Sequence, residues 1–80
     1  MKTISVQYFA VLKDLTGKTE EVISTSANLA SDLFEEICAH YHLKMPTNQL
    51  RVAVNDDFCE WDYSLKEGDK IVFIPPVSGG

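Results

Sequence analysis

Little in this chain of 80 residues supports chemistry of its own. It has two cysteines, Cys38 and Cys59, widely separated and with no C-x-x-C or metal-ligand spacing. One disulfide remains arithmetically possible, but a dense disulfide framework or a thiolate metal cage does not. Glycine-rich phosphate cradles are missing too. Gly17-Lys18-Thr19 imitates the end of a P-loop, but the first glycine of that motif falls on Leu12, and Thr19 leads into a strand pattern. No apolar stretch approaches the length that crosses a bilayer, and Met1-Lys2-Thr3-Ile4-Ser5 starts a strand pattern with no signal-peptide core, so a cytoplasmic protein is expected. Basic residues are outnumbered, with 7 Lys and Arg against 12 Asp and Glu and a net charge of −5. That balance disfavours nucleic acid and anionic membranes as partners, and makes a basic protein surface the more natural counterpart.

Proline and glycine are scarce, and both collect at one place. Of 3 prolines and 4 glycines, two of each lie in the final six residues, Pro75-Pro76-Val77-Ser78-Gly79-Gly80. These follow the apolar run Ile71-Val72-Phe73-Ile74. Two consecutive prolines donate no N–H to a ladder and favour a stiff polyproline course, so the tail is expected to leave the domain. Glycines at the tip let a free carboxylate pass along a channel in which any Cβ would collide. Four extended residues beyond Pro76 reach roughly 13 Å. The expectation is a domain over residues 1–76 that presents a tail, 77–80, to another protein. A carboxylate is a poor electrophile at neutral pH, and nothing in this chain activates it, so an activating enzyme is required.

The remainder reads as one small α+β domain, since 45% of the residues are hydrophobic. Ile4, Val6 and Tyr8 alternate with Ser5 and Gln7 as a first strand. Phe9 to Leu12 runs towards Gly17, which marks a turn or helix end. Residues 20–24 form a second strand, expected to pair with the first. Leu29, Leu33, Phe34, Ile37, Cys38 and Tyr41 make a helical stripe, with Asn28 or Ser26 as its N-cap. Residues 50–54 and 71–74 supply two further strands, with a turn at Asn55-Asp56-Asp57 and a tight point at Gly68. One helix and a mixed sheet of about four to five strands bury each other as two layers, and parallel first and last strands would make this a β-grasp.

Other clusters have plainer readings. His40 and His42, two apart on a helix, point away from each other and suit surface or capping positions rather than shared metal ligation. Cys38 lies on the apolar stripe and packs as a small hydrophobe, while Cys59 falls in a strand-turn region. Asp56, Asp57, Glu60 and Asp62 around Trp61 read as a solvated acidic loop.

Three segments together resemble the small, sulfur-carrying subunit family of molybdopterin synthase, ubiquitin-like proteins of molybdenum cofactor biosynthesis. Phe9-Ala10-Val11-Leu12-Lys13-Asp14-Leu15-Thr16-Gly17 is similar to the family's F-A-x-x-R-E-L-x-G segment, with Lys13 and Asp14 in place of Arg and Glu. Lys keeps the charge there but loses the planar fork. Leu50-Arg51-Val52-Ala53-Val54-Asn55 is similar to its third-strand region. Leu65, Gly68-Asp69, Ile71, Phe73 and Ile74-Pro75-Pro76-Val77-Ser78-Gly79-Gly80 follow its ending closely.

The resemblance implies a β-grasp fold and a sulfur cycle. A ubiquitin-activating-type enzyme would use ATP to adenylate the Gly80 carboxylate, and a sulfurtransferase system would convert the adenylate to a thiocarboxylate. The tail, with Pro75, Pro76, Val77, Ser78 and Gly79 in the partner's channel, would deliver sulfur to a cyclic pyranopterin in the large synthase subunit. It implies a heterotetramer in which the catalytic groups belong to the large subunit, and no cofactor or metal held by this chain. Phe73 and Val77, beside the exit, are the expected docking residues. Alternatives are a sulfur carrier for thiamin thiazole, cysteine or tRNA thiolation, a protein modifier forming isopeptide bonds through Gly80, and a plain interaction module.

Overall fold

The computed structural model describes residues 1–44 and 50–74. Five strands and two helices follow the chain as β1 (Lys2–Tyr8), α1 (Val11–Thr16), β2 (Glu20–Thr25), α2 (Ala30–Tyr41), β3 (Arg51–Val54), β4 (Asp57–Cys59) and β5 (Lys70–Ile74). The strands form one mixed sheet in the order β2-β1-β5-β3-β4. β1 and β5, the first and last strands, lie side by side and parallel at its centre. β2 pairs antiparallel with β1, and β3 pairs antiparallel with both β5 and β4. This is the β-grasp arrangement, with α2 laid over one face.

The period-two pattern decides which side chains meet that helix. Ile4, Val6 and Tyr8 on β1, Ile71 and Phe73 on β5, and Val52 and Val54 on β3 are buried against Leu33, Phe34 and Ile37 of α2. Phe34 centres an aromatic group, 4.9 Å from Phe73 and 5.5 Å from Trp61. Trp61 lies parallel to Phe73 at 5.8 Å, so it caps the core rather than decorating an acidic loop.

Two sequence expectations change in detail. The segment after β1 is a short helix, α1, closed by Gly17 in the left-handed region with φ 74°. The N-cap of α2 is Leu29, not Asn28 or Ser26. Leu29 has no side-chain acceptor, so the cap works in one direction: the Asp32 carboxylate accepts the Leu29 N–H at 3.2 Å. Asn28 is committed elsewhere, its carbonyl accepting from the Leu65 N–H at 2.8 Å. The helix ends at His42, whose φ of 60° gives the left-handed C-cap that glycine or asparagine usually supplies. Pro46, expected to mark the end of the helix, lies outside the described residues, as does the proposed boundary between 76 and 77.

The β3–β4 connection is a two-residue turn with φ 53° at Asn55 and 73° at Asp56. Both angles are positive, as a type I′ hairpin requires. Asn55 and the buried Asp69 then lock this turn to the start of β5. Asn55 Nδ2 donates to Asp69 Oδ1 at 3.1 Å, Asn55 Oδ1 accepts the Lys70 N–H, and Asp69 Oδ2 accepts the Lys66 N–H at 2.8 Å. Gly68, at φ 84°, lets the loop fold back so that its N–H reaches the Thr3 carbonyl.

Candidate functional site

β5 aims the chain end. Its residues Ile71 and Phe73 are fully buried, its neighbours β1 and β3 hold it on both sides, and Ile74 is its last residue. Pro75, Pro76, Val77, Ser78, Gly79 and Gly80, the residues expected to carry the chemistry, lie outside the described residues. The structure thus defines the strand that they follow in sequence.

That strand corrects one expectation. Phe73 does not dock against anything outside the domain: its exposure is 0%, and its ring lies between Phe34 and Trp61. Burying a phenylalanine is worth roughly 1.5–3 kcal/mol, which would be lost by swinging it out to a partner. The strand alternation puts Phe73 on the helix side and its successor on the other. Ile74, half-buried, pairs in register with Arg51 of β3.

The exposed apolar side chains near the exit come from elsewhere in the sequence. On the face of the sheet opposite α2, Gln7, Val72, Ala53 and Phe58 occupy one cross-strand row spanning four strands. Phe58 is 62% exposed, and the Arg51 guanidinium lies 4.7 Å from its ring centroid. On the other flank Tyr8 pairs with Phe73, so Phe9 follows at the level of Ile74 and is 43% exposed. Val11 and Leu15, one turn apart on α1, extend this apolar surface. Sequence reading missed this surface because Phe58 lies far along the chain from Phe9, Val11 and Leu15. Only the register assembles them.

The other sequence candidates stay apart from the exit. His40 meets the Tyr41 ring edge-on at 4.7 Å, and no group of three metal-ligating side chains forms among the described residues. Cys38 and Cys59 are both partly buried. Burial raises the pKa of Cys59, and the neighbouring Glu60 and Asp62 raise it further, so its thiolate is disfavoured.

A polar cluster beneath β2 was also absent from the sequence reading. Glu21 sits on the helix side of this edge strand and accepts from the hydroxyls of Tyr8 and, at 2.8 Å, Tyr41, while Lys18 Nζ lies 3.2 Å from its other oxygen. Burial alone would raise the Glu21 pKa, but the two hydroxyls and the ammonium outweigh it and hold the carboxyl below its ordinary value. The Tyr8 hydroxyl, buried and facing this carboxylate, is pushed well above the usual tyrosine range.

No helix among the described residues is long and apolar enough to cross a membrane. Comparison with known proteins agrees with the geometry. The molybdopterin synthase sulfur carrier subunit of Homo sapiens is 37% identical over 82 residues, covering 96% of this chain and 93% of that protein. The complex of subunits 1 and 2 of molybdopterin-converting factor from Helicobacter pylori contains a chain with TM-score 0.68 and 28% identity, matching 98% of this chain and 99% of that one. Small archaeal modifier protein 1 from Methanosarcina acetivorans shares the fold at TM-score 0.81 and 21% identity, with 100% and 98% covered. The ThiS family matches residues 6–80, from the first strand through the last glycine, and with these relatives it establishes that the chain belongs to the ThiS family, alongside the molybdopterin synthase sulfur carrier subunits.

Proposed function

We propose that this chain is the sulfur-carrying subunit of a molybdopterin synthase. The observation that carries the reading is the ending: a family match that continues to residue 80 through Pro75-Pro76-Val77-Ser78-Gly79-Gly80, which follow in sequence a central strand buried at Ile71, Val72 and Phe73. An activating enzyme transfers AMP from ATP to the Gly80 carboxylate and releases pyrophosphate. A sulfur donor then displaces AMP, leaving a thiocarboxylate. Its sulfur is a good nucleophile, and a short stiff tether turns its attack on a bound pyranopterin into a positioned, effectively unimolecular step. Attack forms a thioester between Gly80 and the pterin, and water cleaves its acyl–sulfur bond, leaving the sulfur on the pterin and a carboxylate on Gly80. Two such transfers complete the dithiolene.

The fold supports this division of labour. β5 is the central strand that the tail follows in sequence, and the exposed Phe58, Arg51 and Phe9 near its end suit docking against the large subunit, in a heterotetramer with two carriers on a large-subunit dimer. The Phe58 and Phe9 rings contribute apolar area at low entropic cost, a common trait of interface anchors.

The intact mass of the chain, isolated from cells with an active sulfur-loading system, tests the proposal. The expected result is replacement of one oxygen by one sulfur, confined to the C-terminal peptide. An unmodified terminus, or isopeptide conjugates to lysines of other proteins, overturns it.

A further inference from the structure

We infer that the free edge of β2, with the groove between β2 and α2, binds an extended segment of a partner protein that alternates basic and apolar side chains, adding it to the sheet as a sixth strand. β2 is the terminal strand of the sheet. The Tyr8 N–H donates to the Thr19 carbonyl at 2.8 Å, so by antiparallel alternation Glu21, Ile23 and Thr25 turn their backbone groups to β1. Glu20, Val22 and Ser24 turn theirs outward, and nothing among the described residues pairs with them. The opposite edge, β4, is only three residues long. Val22, at the middle of the open edge, is 68% exposed. A row of unmet N–H and C=O groups beside an exposed branched side chain is a template for strand addition.

The groove next to this edge limits what the added strand carries. A hollow of about 140 Å³ is lined by Ile23 and Ile37 at its apolar part and by Glu21, Glu36, His40 and Tyr41 around it. Pockets for small ligands run from roughly 300 Å³, so the hollow suits one side chain rather than a cofactor. Its charge sets the chemistry. The Glu21 carboxylate is occupied by Tyr8, Tyr41 and Lys18, and that contact also neutralises Lys18, the cation beside the groove. Glu36 Oε2 accepts from Thr25 at 2.9 Å, but among the described residues Glu36 forms no ion pair, and it is exposed, as is Glu20 on the edge. A bound strand therefore meets an apolar seat on the helix side and the Glu20 carboxylate on the opposite face, which favours Val, Ile or Leu at one set of positions and Lys or Arg at the alternate ones. β2 is separated from β5 by β1, so this contact leaves the tail exit open. A partner can hold the domain here while the tail works elsewhere.

The test uses the full 15N-labelled chain and two synthetic decapeptides, one alternating Val with Lys and the other Val with Glu. The Val/Lys peptide is expected to shift the amides of Glu20, Val22 and Ser24 and to slow their hydrogen exchange, whereas the Val/Glu peptide does not bind. Val22→Pro removes an outward N–H without breaking a ladder bond, a substitution edge strands tolerate. It is expected to weaken binding at least about tenfold while the exchange protection of β1 and β5 is retained. Glu20→Lys leaves the edge intact and is expected to reverse the preference between the two peptides. Equal binding of both peptides, shifts centred on Phe58 instead of β2, or self-association of the chain through Val22 would each overturn the inference.

Discussion

Ala10 adopts φ 51° and ψ −125° where β1 gives way to α1, and the Leu12 N–H closes a turn on the Phe9 carbonyl at 3.1 Å. Those angles belong to the first central position of a type II′ turn, which glycine occupies at no steric cost and alanine does not. Ala10→Gly removes that strain but gives the unfolded chain more freedom, so a net gain of about 1 kcal/mol is expected. It should appear as a higher urea midpoint with an unchanged slope; a lower midpoint would contradict the strained geometry. Glu21 is a different case, because its cost depends on pH. Its folded carboxyl is held below its ordinary value, so the unfolded chain binds more protons across the acid range. The stability it contributes is present above a pH of about 4.5, the unfolded value, and is lost as pH falls through the lower folded value. Glu21→Gln is expected to lower the plateau stability and to flatten the acid limb of a stability–pH curve below that point. A variant with the same acid limb as the parent would remove Glu21 from the account.

Among the elements, the junction of the β3–β4 turn with β5 depends most on a single side chain. Asn55 accepts the positive φ of the turn, holds the Lys70 N–H and donates to the buried Asp69. Asn55→Ala leaves the Lys70 N–H and one Asp69 oxygen without these partners and puts alanine at φ 53°, a loss of about 2–3 kcal/mol. Hydrogen exchange should show the opening concentrated in β3, β4 and the start of β5, not spread through β1 and β2. β1, β2, β3, β5 and α2 were readable in advance because their periodicity is a local property: Ile4, Val6 and Tyr8 alternate, and Leu33, Phe34 and Ile37 recur at helical spacing. The three-residue β4 was not, and Asp57, expected in the turn, is its first residue. α1 was not, since six residues show less than two full turns and Val11 and Leu15 are exposed. Which ring faced out at the exit was equally hidden. Phe73 and Phe58 look alike in sequence, and their opposite fates follow from the register of β5 against β3 and of β3 against β4. The tail motif was plain because its meaning lies in consecutive residues, whereas the surface around it is gathered from positions 9, 51 and 58.

Taken whole, the molecule separates holding from delivering. Among the described residues no buried side-chain polar atom lacks a partner, and β5 reaches full burial by Phe73. Two changes at opposite ends of this division should therefore fail differently. Deleting Gly80 is expected to abolish sulfur loading and transfer, because the reactive carboxylate moves one residue short of the site that receives it, while the melting temperature is unchanged. Phe58→Asp alters an exposed side chain, so its effect on stability should stay within about 0.5 kcal/mol. Its effect on docking should be larger, since a desolvated aromatic anchor at an interface commonly contributes about 2 kcal/mol or more. The two are distinguished by loading and then transfer: the Gly80 deletion should take up no sulfur, whereas Phe58→Asp, loaded with sulfur beforehand, should transfer at the normal rate once large subunit is present in excess, and slowly at low concentration. The Gly80 deletion cannot be rescued by any concentration of partner. If Phe58→Asp were equally beyond rescue, the open face of the sheet would be positioning the tail for reaction and not merely gripping the partner. If it transferred normally at every concentration, docking would rest on Phe9 and α1 instead.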